Sequence, residues 1–276
     1  MSAIRLRSLL FVPGDRPDRM AKALASGADA LILDLEDSVA PDAKAAARDA
    51  ARAFLGAHGR EVPLYVRINP FDTAIAAEDL AAILPARPSG IVLPKATPLA
   101  LEQLAVAMGG NAVPVLPIVE TSMAVLCLPE FAEMPGLAAL TWGGEDLGTE
   151  LGTRSAARSG ASGPLAIARA LSLFAARAAG VPAIETVYAN FRDLAGLETA
   201  ARQAAEDGFD GMLAIHPDQI AAIHRAMAPS DAQRAEALAI VAAFNGSSPG
   251  AQSLGGRMID RPHLIRAERL IARSGE

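Results

Sequence analysis

The chain has 276 residues, a net charge of −6, and a composition that is 51% hydrophobic but only 4% aromatic. That size and balance suit one large α/β domain or two small ones with a sizeable core, and the interspersed charges offer no basic stripe to a nucleic-acid backbone, so nucleic acid is excluded as a partner. No apolar run reaches membrane-spanning length, Pro13 and Gly14 cut short the N-terminal apolar run, and the one cysteine, Cys127, cannot close an intrachain disulfide; no membrane partner and a cytoplasmic location are expected.

Short runs rich in Val, Ile and Leu alternate with Ala-rich segments of helical length, the pattern of repeated βα units around a parallel sheet. The predicted strands are 8–12, 30–35, 64–68, 90–94, 113–119, 137–142, 183–187 and 211–215. The helices that follow them are 17–26, 41–58, 77–84, 99–108, 122–134, 164–179, 194–207 and 217–227. Eight such pairs without an internal linker favour a single (β/α)₈ TIM barrel, here residues 1–229, over an open doubly wound sheet; counting units does not by itself show closure. Residues 230–276 form an extension: a helix over 231–244, the Gly/Ser-rich stretch NGSSPGAQSLGG, and a last helix from Pro262. A flexible loop followed by an anchored segment fits a lid, and equally a packing or oligomerisation arm.

Nearly every predicted strand ends in charged or turn residues: Asp15 and Arg16, Glu36 and Asp37, Arg67 and Asn69, Lys95, Glu120, Glu145 and Asp146, Tyr188 and Asn190, and His216. In a barrel these tips converge on the C-terminal face, where active sites are built. Asp15 and Asp37 stand ahead of Pro17 and Pro41 and also read as helix caps. Arg67, Glu120 and Asp146 are harder to explain structurally, because charges at buried strand ends are costly without partners. Neighbouring parallel strands lie roughly 4.8 Å apart, so Glu120 and Asp146, at the ends of successive strands, are placed to hold one hard divalent cation. An all-oxygen pair suits Mg²⁺, and no HxH, HExxH or CxxC spacing points to zinc. Lys95 reads as an ion-pair partner of Glu36 or Glu120 or, on the alternative reading, as a Schiff-base lysine. His216 reads as a cap of the last unit, Trp142 as wall or core, and His58, His224 and His263 as surface positions.

The blocks RSLLFVPGDRPDRMAKA (7–23), DALILDLEDSV (29–39), VRIN (66–69), VLPK (92–95), PIVET (117–121), WGGEDL (142–147), IHP (215–217) and GRMIDRPH (256–263) follow one another in order. In them the sequence resembles the citrate lyase β-subunit-like branch of the HpcH/HpaI aldolase superfamily, together with the malyl-CoA and citramalyl-CoA lyases. The resemblance implies a metal-dependent TIM barrel that breaks or forms a carbon–carbon bond beside a carboxylated carbonyl. It implies Glu120 and Asp146 as the Mg²⁺ ligands, Arg67 as the substrate-holding arginine, and Asp260 as a lid residue brought over the site, often from a neighbouring subunit in a trimer or hexamer. Where many relatives have ETARG, this chain has ETSMA at 120–124, so an arginine is missing just past Glu120.

The implied reaction splits a 3-hydroxyacyl-CoA of the malyl-, citramalyl- or citryl-CoA type into acetyl-CoA and a 2-oxo acid. Arg67 would stabilise the alkoxide or forming carbonyl oxygen, and the turn through Gly143, Gly144, Glu145 and Asp146 would offer backbone N–H groups to the substrate carboxylate. Asp260 would protonate the enolate. Glu36 joins Arg67 and Asp260 in the catalytic set, with Glu36 or Asp37 orienting the arginine. Arg16 and Lys22 are candidates for the CoA phosphates, although Lys22 fits a solvated helix face as well. The alternatives are a pyruvate aldolase acting on free 4-hydroxy-2-oxo acids, a malate-synthase-like enzyme that hydrolyses the condensed thioester, and a carrier-dependent citrate lyase β subunit.

Overall fold

A computed structural model describes residues 5–59, 61–110, 113–153, 163–245 and 250–274. Eight parallel strands, β1 (Ser8–Pro13), β2 (Ala30–Asp34), β3 (Leu64–Arg67), β4 (Gly90–Leu93), β5 (Val115–Val119), β6 (Leu140–Trp142), β7 (Ala183–Glu185) and β8 (Gly211–Ala214), pair in sequence order. Leu9 of β1 pairs with Leu213 of β8, which closes the barrel and excludes the open sheet. The described residues divide into two compact units, the barrel up to Arg225 and a C-terminal unit from Ala226.

The barrel is a filled core. Alternate strand residues point inward, and Leu9, Ala30, Ile32, Tyr65, Val92, Leu116, Ile118, Ala139, Ile184 and Leu213 pack there as one buried cluster. Gly90 makes room for the largest of them: a Cβ at that position would stand 2.3 Å from the Tyr65 ring. The outer ring comprises α1 (Pro17–Leu24), α2 (Lys44–His58), α3 (Ile75–Ile83), α4 (Pro98–Ala107), α5 (Ser122–Leu126), α6 (Leu128–Phe131), α7 (Gly144–Glu150), α8 (Pro164–Ala178), α9 (Leu194–Asp207) and α10 (Gln219–Met227). Thr97 and Thr121 cap α4 and α5 by accepting the amides of Ala100 and Ala124.

Several elements differ from the sequence expectation for identifiable reasons. The helix expected over 122–134 is two short ones, parted at Cys127 by Pro129, which cannot supply an amide to a continuous helix. The strand expected over 137–142 is regular only from Leu140, with Leu137 making an isolated bridge to Val115. Gly143–Gly144, read as a turn, instead opens α7, with Glu145 and Asp146 in its first turn, where carboxylates favour the helix dipole. In the C-terminal unit, α11 (Asp231–Asn245) precedes a hairpin of β9 (Gln252–Leu254) and β10 (Arg257–Ile259), then α12 (Arg261–Ser274). Residues 246–249 of the Gly/Ser-rich stretch lie outside the described residues.

At the opposite end of the barrel His224 is not a surface residue. Its Nε2 lies 2.8 Å from the hydroxyl of the fully buried Ser8 and 3.5 Å from Asp29, whose carboxylate is forked by Arg7 at 2.7 and 2.9 Å. Burial, aided by Arg7 and opposed by Asp29, holds the imidazole pKa below its ordinary 6.5. The folded state therefore disfavours the imidazolium: this contribution is complete above about pH 6.5 and is lost as pH falls from there toward the lowered folded value. Thermal melts across that window should show a steeper acid loss for the wild type than for His224→Gln; parallel curves would contradict this.

Candidate active site

The inward register that builds the core runs on past the strand ends and becomes polar. Beyond Ala30 and Ile32 the same face of the second strand and its exit carries Asp34 and Glu36; beyond Tyr65, β3 carries Arg67, which the ladder sets opposite Asp34. Arg67 donates from Nε and Nη2 to the two oxygens of Asp34, each at 2.7 Å. Its Nη1 lies 2.8 Å from Glu36 Oε2 as an ion pair, but no N–H is aligned on that oxygen. The guanidinium stands over the Phe11 ring, 4.8 Å from its centroid. Glu36 Oε1 accepts from Lys95 Nζ at 2.6 Å, and the Lys95 backbone N–H donates to Glu120 Oε1 at 2.7 Å.

Lys95 reaches both carboxylates by adopting φ 47°, the left-handed region, which costs a residue with a side chain about 1–3 kcal/mol. Its ammonium is held protonated because Glu36 and Glu120 together outweigh the effect of burial. That ion pair disfavours the Schiff-base reading, which needs a free neutral amine. Burial would raise the Asp34 pKa, yet the Arg67 fork overcomes it and keeps Asp34 below the usual carboxylate range. Glu36 goes the other way: burial raises it against the pull of Arg67 and Lys95.

Glu120 closes β5 and is buried, 3% exposed. Burial, with Asp146 and Glu36 adding repulsion and the Lys95 amide opposing, raises its pKa to about 7. The side chain lies across Gly143, where a Cβ would fall 2.4 Å from Glu120 Oε2, so only glycine permits α7 to start beside this carboxylate. Asp146, half-buried in the first turn of α7, is close enough to act on Glu120 electrostatically. With Oε1 taken by Lys95, Oε2 faces the start of the helix that bears Asp146. Among the described residues no group of three or more His, Cys, Asp and Glu side chains gathers as a metal site. A two-carboxylate, all-oxygen set that burial and mutual repulsion leave short of positive charge nevertheless fits Mg²⁺, which keeps several waters.

Arg67, Glu36, Glu120 and Asp146 thus come together on the barrel's C-terminal side, and Glu36 rather than the exposed Asp37 is the residue that meets Arg67. Gly144 behaves otherwise than expected. Its N–H donates to Thr186 Oγ1 at 3.3 Å and that of Gly143 to the Val119 carbonyl at 2.9 Å, so neither glycine amide is open to a substrate carboxylate. Glu145 is exposed. Arg16 is exposed and paired with Asp18 at 3.1 Å, and Lys22 is exposed in the last turn of α1. Asp260 belongs to the C-terminal unit and contacts His263. The His216 ring accepts the Asp218 amide at 3.2 Å through Nδ1 and stacks on Phe191, consistent with a cap.

Three buried acids lie outside the sequence reading: Asp34, Glu185 and Asp79, which accepts the backbone and side-chain N–H of Asn69 at 2.8 and 2.7 Å. Asp34 was hidden inside an apolar run, although its two-residue spacing from Ile32 and Glu36 marked the inward face. Glu185 accepts from Trp142 Nε1 and from Arg169 Nε, each at 2.6 Å, and pins the wall behind Gly143.

Residues 7–217 match the sequence profile of the HpcH/HpaI aldolase/citrate lyase family. A citrate lyase subunit beta-like protein of Mycobacterium tuberculosis is 40% identical over 269 residues, 97% of this chain and 95% of the relative. A (3S)-malyl-CoA thioesterase of Cereibacter sphaeroides is 33% identical over 273 residues, 97% and 94% of the two chains. Among solved structures, Mycobacterium tuberculosis CitE in complex with magnesium, acetoacetate and coenzyme A superposes with a TM-score of 0.84 at 36% identity, covering 99% of both chains. The barrel with its charged C-terminal face is that of an enzyme family, and this chain belongs to the HpcH/HpaI aldolase/citrate lyase family.

Proposed function

We propose that this protein is a Mg²⁺-dependent carbon–carbon lyase that cleaves a 3-hydroxyacyl-CoA to acetyl-CoA and a 2-oxo acid. The observation that carries the reading is the unbroken polar chain Asp34, Arg67, Glu36, Lys95, Glu120 beside Asp146; magnesium, acetoacetate and coenzyme A in the related CitE structure supply the ligand classes. Glu120 and Asp146 would hold the ion. When bound, Mg²⁺ supplies Lewis-acid polarisation to the hydroxyl and carboxylate end of the substrate.

The residues of the chain do the rest. The Asp34 fork fixes the guanidinium plane, leaving Nη1, with no N–H committed to Glu36, to meet the substrate oxygen that becomes the carbonyl. Because its partners push its pKa further up against burial, Arg67 stays cationic throughout. Glu36, 2.6 Å from the Lys95 ammonium, helps to keep Lys95 charged against burial, and the contact keeps that corner of the site from moving. The substrate O–H proton leaves to solvent water as the C=O bond forms and the carbon–carbon bond breaks. The electron pair of the carbon–carbon bond passes to the thioester enolate, and Asp260 delivers the proton that makes the acetyl group. Arg16 and Lys22 would meet the phosphates of CoA.

The direct test is incubation of the purified protein and Mg²⁺ with malyl-, citramalyl- and citryl-CoA. Release of acetyl-CoA and the matching 2-oxo acid supports lyase action. The relative named as a malyl-CoA thioesterase favours a second reading, under which free CoA and an intact hydroxy acid would appear instead. Glu120 must shed a proton to take the ion, so Mg²⁺ affinity measured by calorimetry should fall ~10-fold per pH unit below about 7; affinity independent of pH there would contradict Glu120 as a ligand.

A further inference from the structure

The C-terminal unit holds an acid–imidazole pair that neither the barrel site nor the comparisons explain. Asp260 follows directly on β10, whose last residue, Ile259, is buried, and its carbonyl accepts the amides of His263 and Leu264 at 3.0 and 3.2 Å to start α12. The backbone is therefore fixed on both sides of Asp260, by a hairpin and by a helix. Its carboxylate does not cap that helix in the usual way, by accepting the amide of the third helical residue. Instead Oδ1 lies 2.5 Å from Nδ1 of His263.

Two lone pairs repel at that separation, so a proton lies between the atoms, and the contact is shorter than an ordinary charge-assisted N–H···O bond. The Asp260 amide also approaches Nδ1, at 3.2 Å; with Nδ1 carrying its hydrogen toward Oδ1, this longer contact is the one that gives way. Among the described residues Oδ2 has no partner. The side chains are 39% and 41% exposed, so the pair is open to a ligand rather than sealed inside its own unit.

We infer that His263 is a positioning residue for Asp260: its Nδ1–H anchors Oδ1 and so leaves Oδ2 aimed and free to exchange the proton with the substrate carbon. The inference rests on the enolate-protonating role proposed for Asp260. In cleavage the Oδ2–H bond breaks, a C–H bond forms on the enolate carbon, and the carboxylate left behind is held by the imidazole N–H. Solvent water then returns to Oδ2 a proton that replaces it, matching the one the substrate hydroxyl released to solvent as its carbonyl formed. Orientation of an acid by a third group is a general requirement of proton transfer, since a freely rotating carboxyl spends little time in the productive geometry.

The test uses the full-length protein with Mg²⁺ and whichever thioester it turns over, comparing His263→Ala, His263→Asn and Asp260→Asn. His263→Ala should lower kcat by about 10²-fold with the thioester KM, Mg²⁺ affinity and Tm unchanged. His263→Asn, which keeps an N–H donor at that reach, should return kcat to near the wild-type value. An alanine variant with wild-type kcat overturns the inference, as does an asparagine variant no better than alanine, or a loss that follows a lowered Tm. Turnover retained in Asp260→Asn would instead sink the proposed role of Asp260, whereas an inactive Asp260→Asn beside a fully active His263→Ala sinks only the role of His263.

Discussion

Glu120→Gln is expected to reduce turnover by about 10³-fold or more while leaving the barrel folded and, without metal at alkaline pH, more heat-stable than the wild type. The substitution is nearly isosteric, and a glutamine oxygen can still accept the Lys95 amide that meets Glu120 at 2.7 Å. What it removes is the charge. Because the folded-state pKa of Glu120 is raised from 4.5 to about 7, the folded protein favours the protonated acid. Stability from this group is complete below about pH 4.5 and is lost as pH rises through about 7. The metal-free wild type should therefore lose Tm across that interval more steeply than Glu120→Gln, and Mg²⁺ should restore the wild type only. Asp146→Asn should match the loss of turnover. A glutamine variant that melts earlier yet keeps its turnover would make Glu120 a structural acid.

Arg67 carries the second large effect, and there activity and stability fall together. Arg67→Lys keeps a cation but not the planar fork that meets both Asp34 oxygens, so kcat/KM should fall by about 10²–10³-fold. Arg67→Met removes the cation from beside Asp34 and Glu36, which are 2% and 3% exposed, and an uncompensated buried charge costs about 3–5 kcal/mol. Adding Asp34→Asn to Arg67→Met should recover part of that stability and none of the activity, a separation visible in denaturant unfolding beside initial rates. Full recovery of activity in the double variant would mean that the guanidinium is needed only to neutralise Asp34.

The barrel could be read from the chain because its information is local: short apolar runs alternating with Ala-rich segments of helical length. Glu120, just after β5, and Asp146, in the first turn of α7, stand just past buried runs and so are legible for the same reason. The features that escaped depend on partners far away in sequence. His224 looked like a surface residue because Ser8 and Asp29, which bury it, lie some two hundred positions earlier. The paired glycines at 143 and 144 carried two meanings: they suggested amides open to a ligand, whereas their small size serves the approach of Glu120 and their N–H groups are used by Val119 and Thr186. Lys95 was recognised as an ion-pair residue, but its left-handed backbone, which lets one residue serve both Glu36 and Glu120, follows only from the closed barrel.

Calorimetric titration of Mg²⁺ into the metal-free full-length protein and its Glu120→Gln and Asp146→Asn variants, at a pH above about 7 where Glu120 is ionised, tests the two-carboxylate site most directly. One ion should bind per wild-type chain, and neither variant should take up measurable Mg²⁺ although both remain folded. Wild-type affinity retained in both variants would place the ion elsewhere and remove the basis of the mechanism.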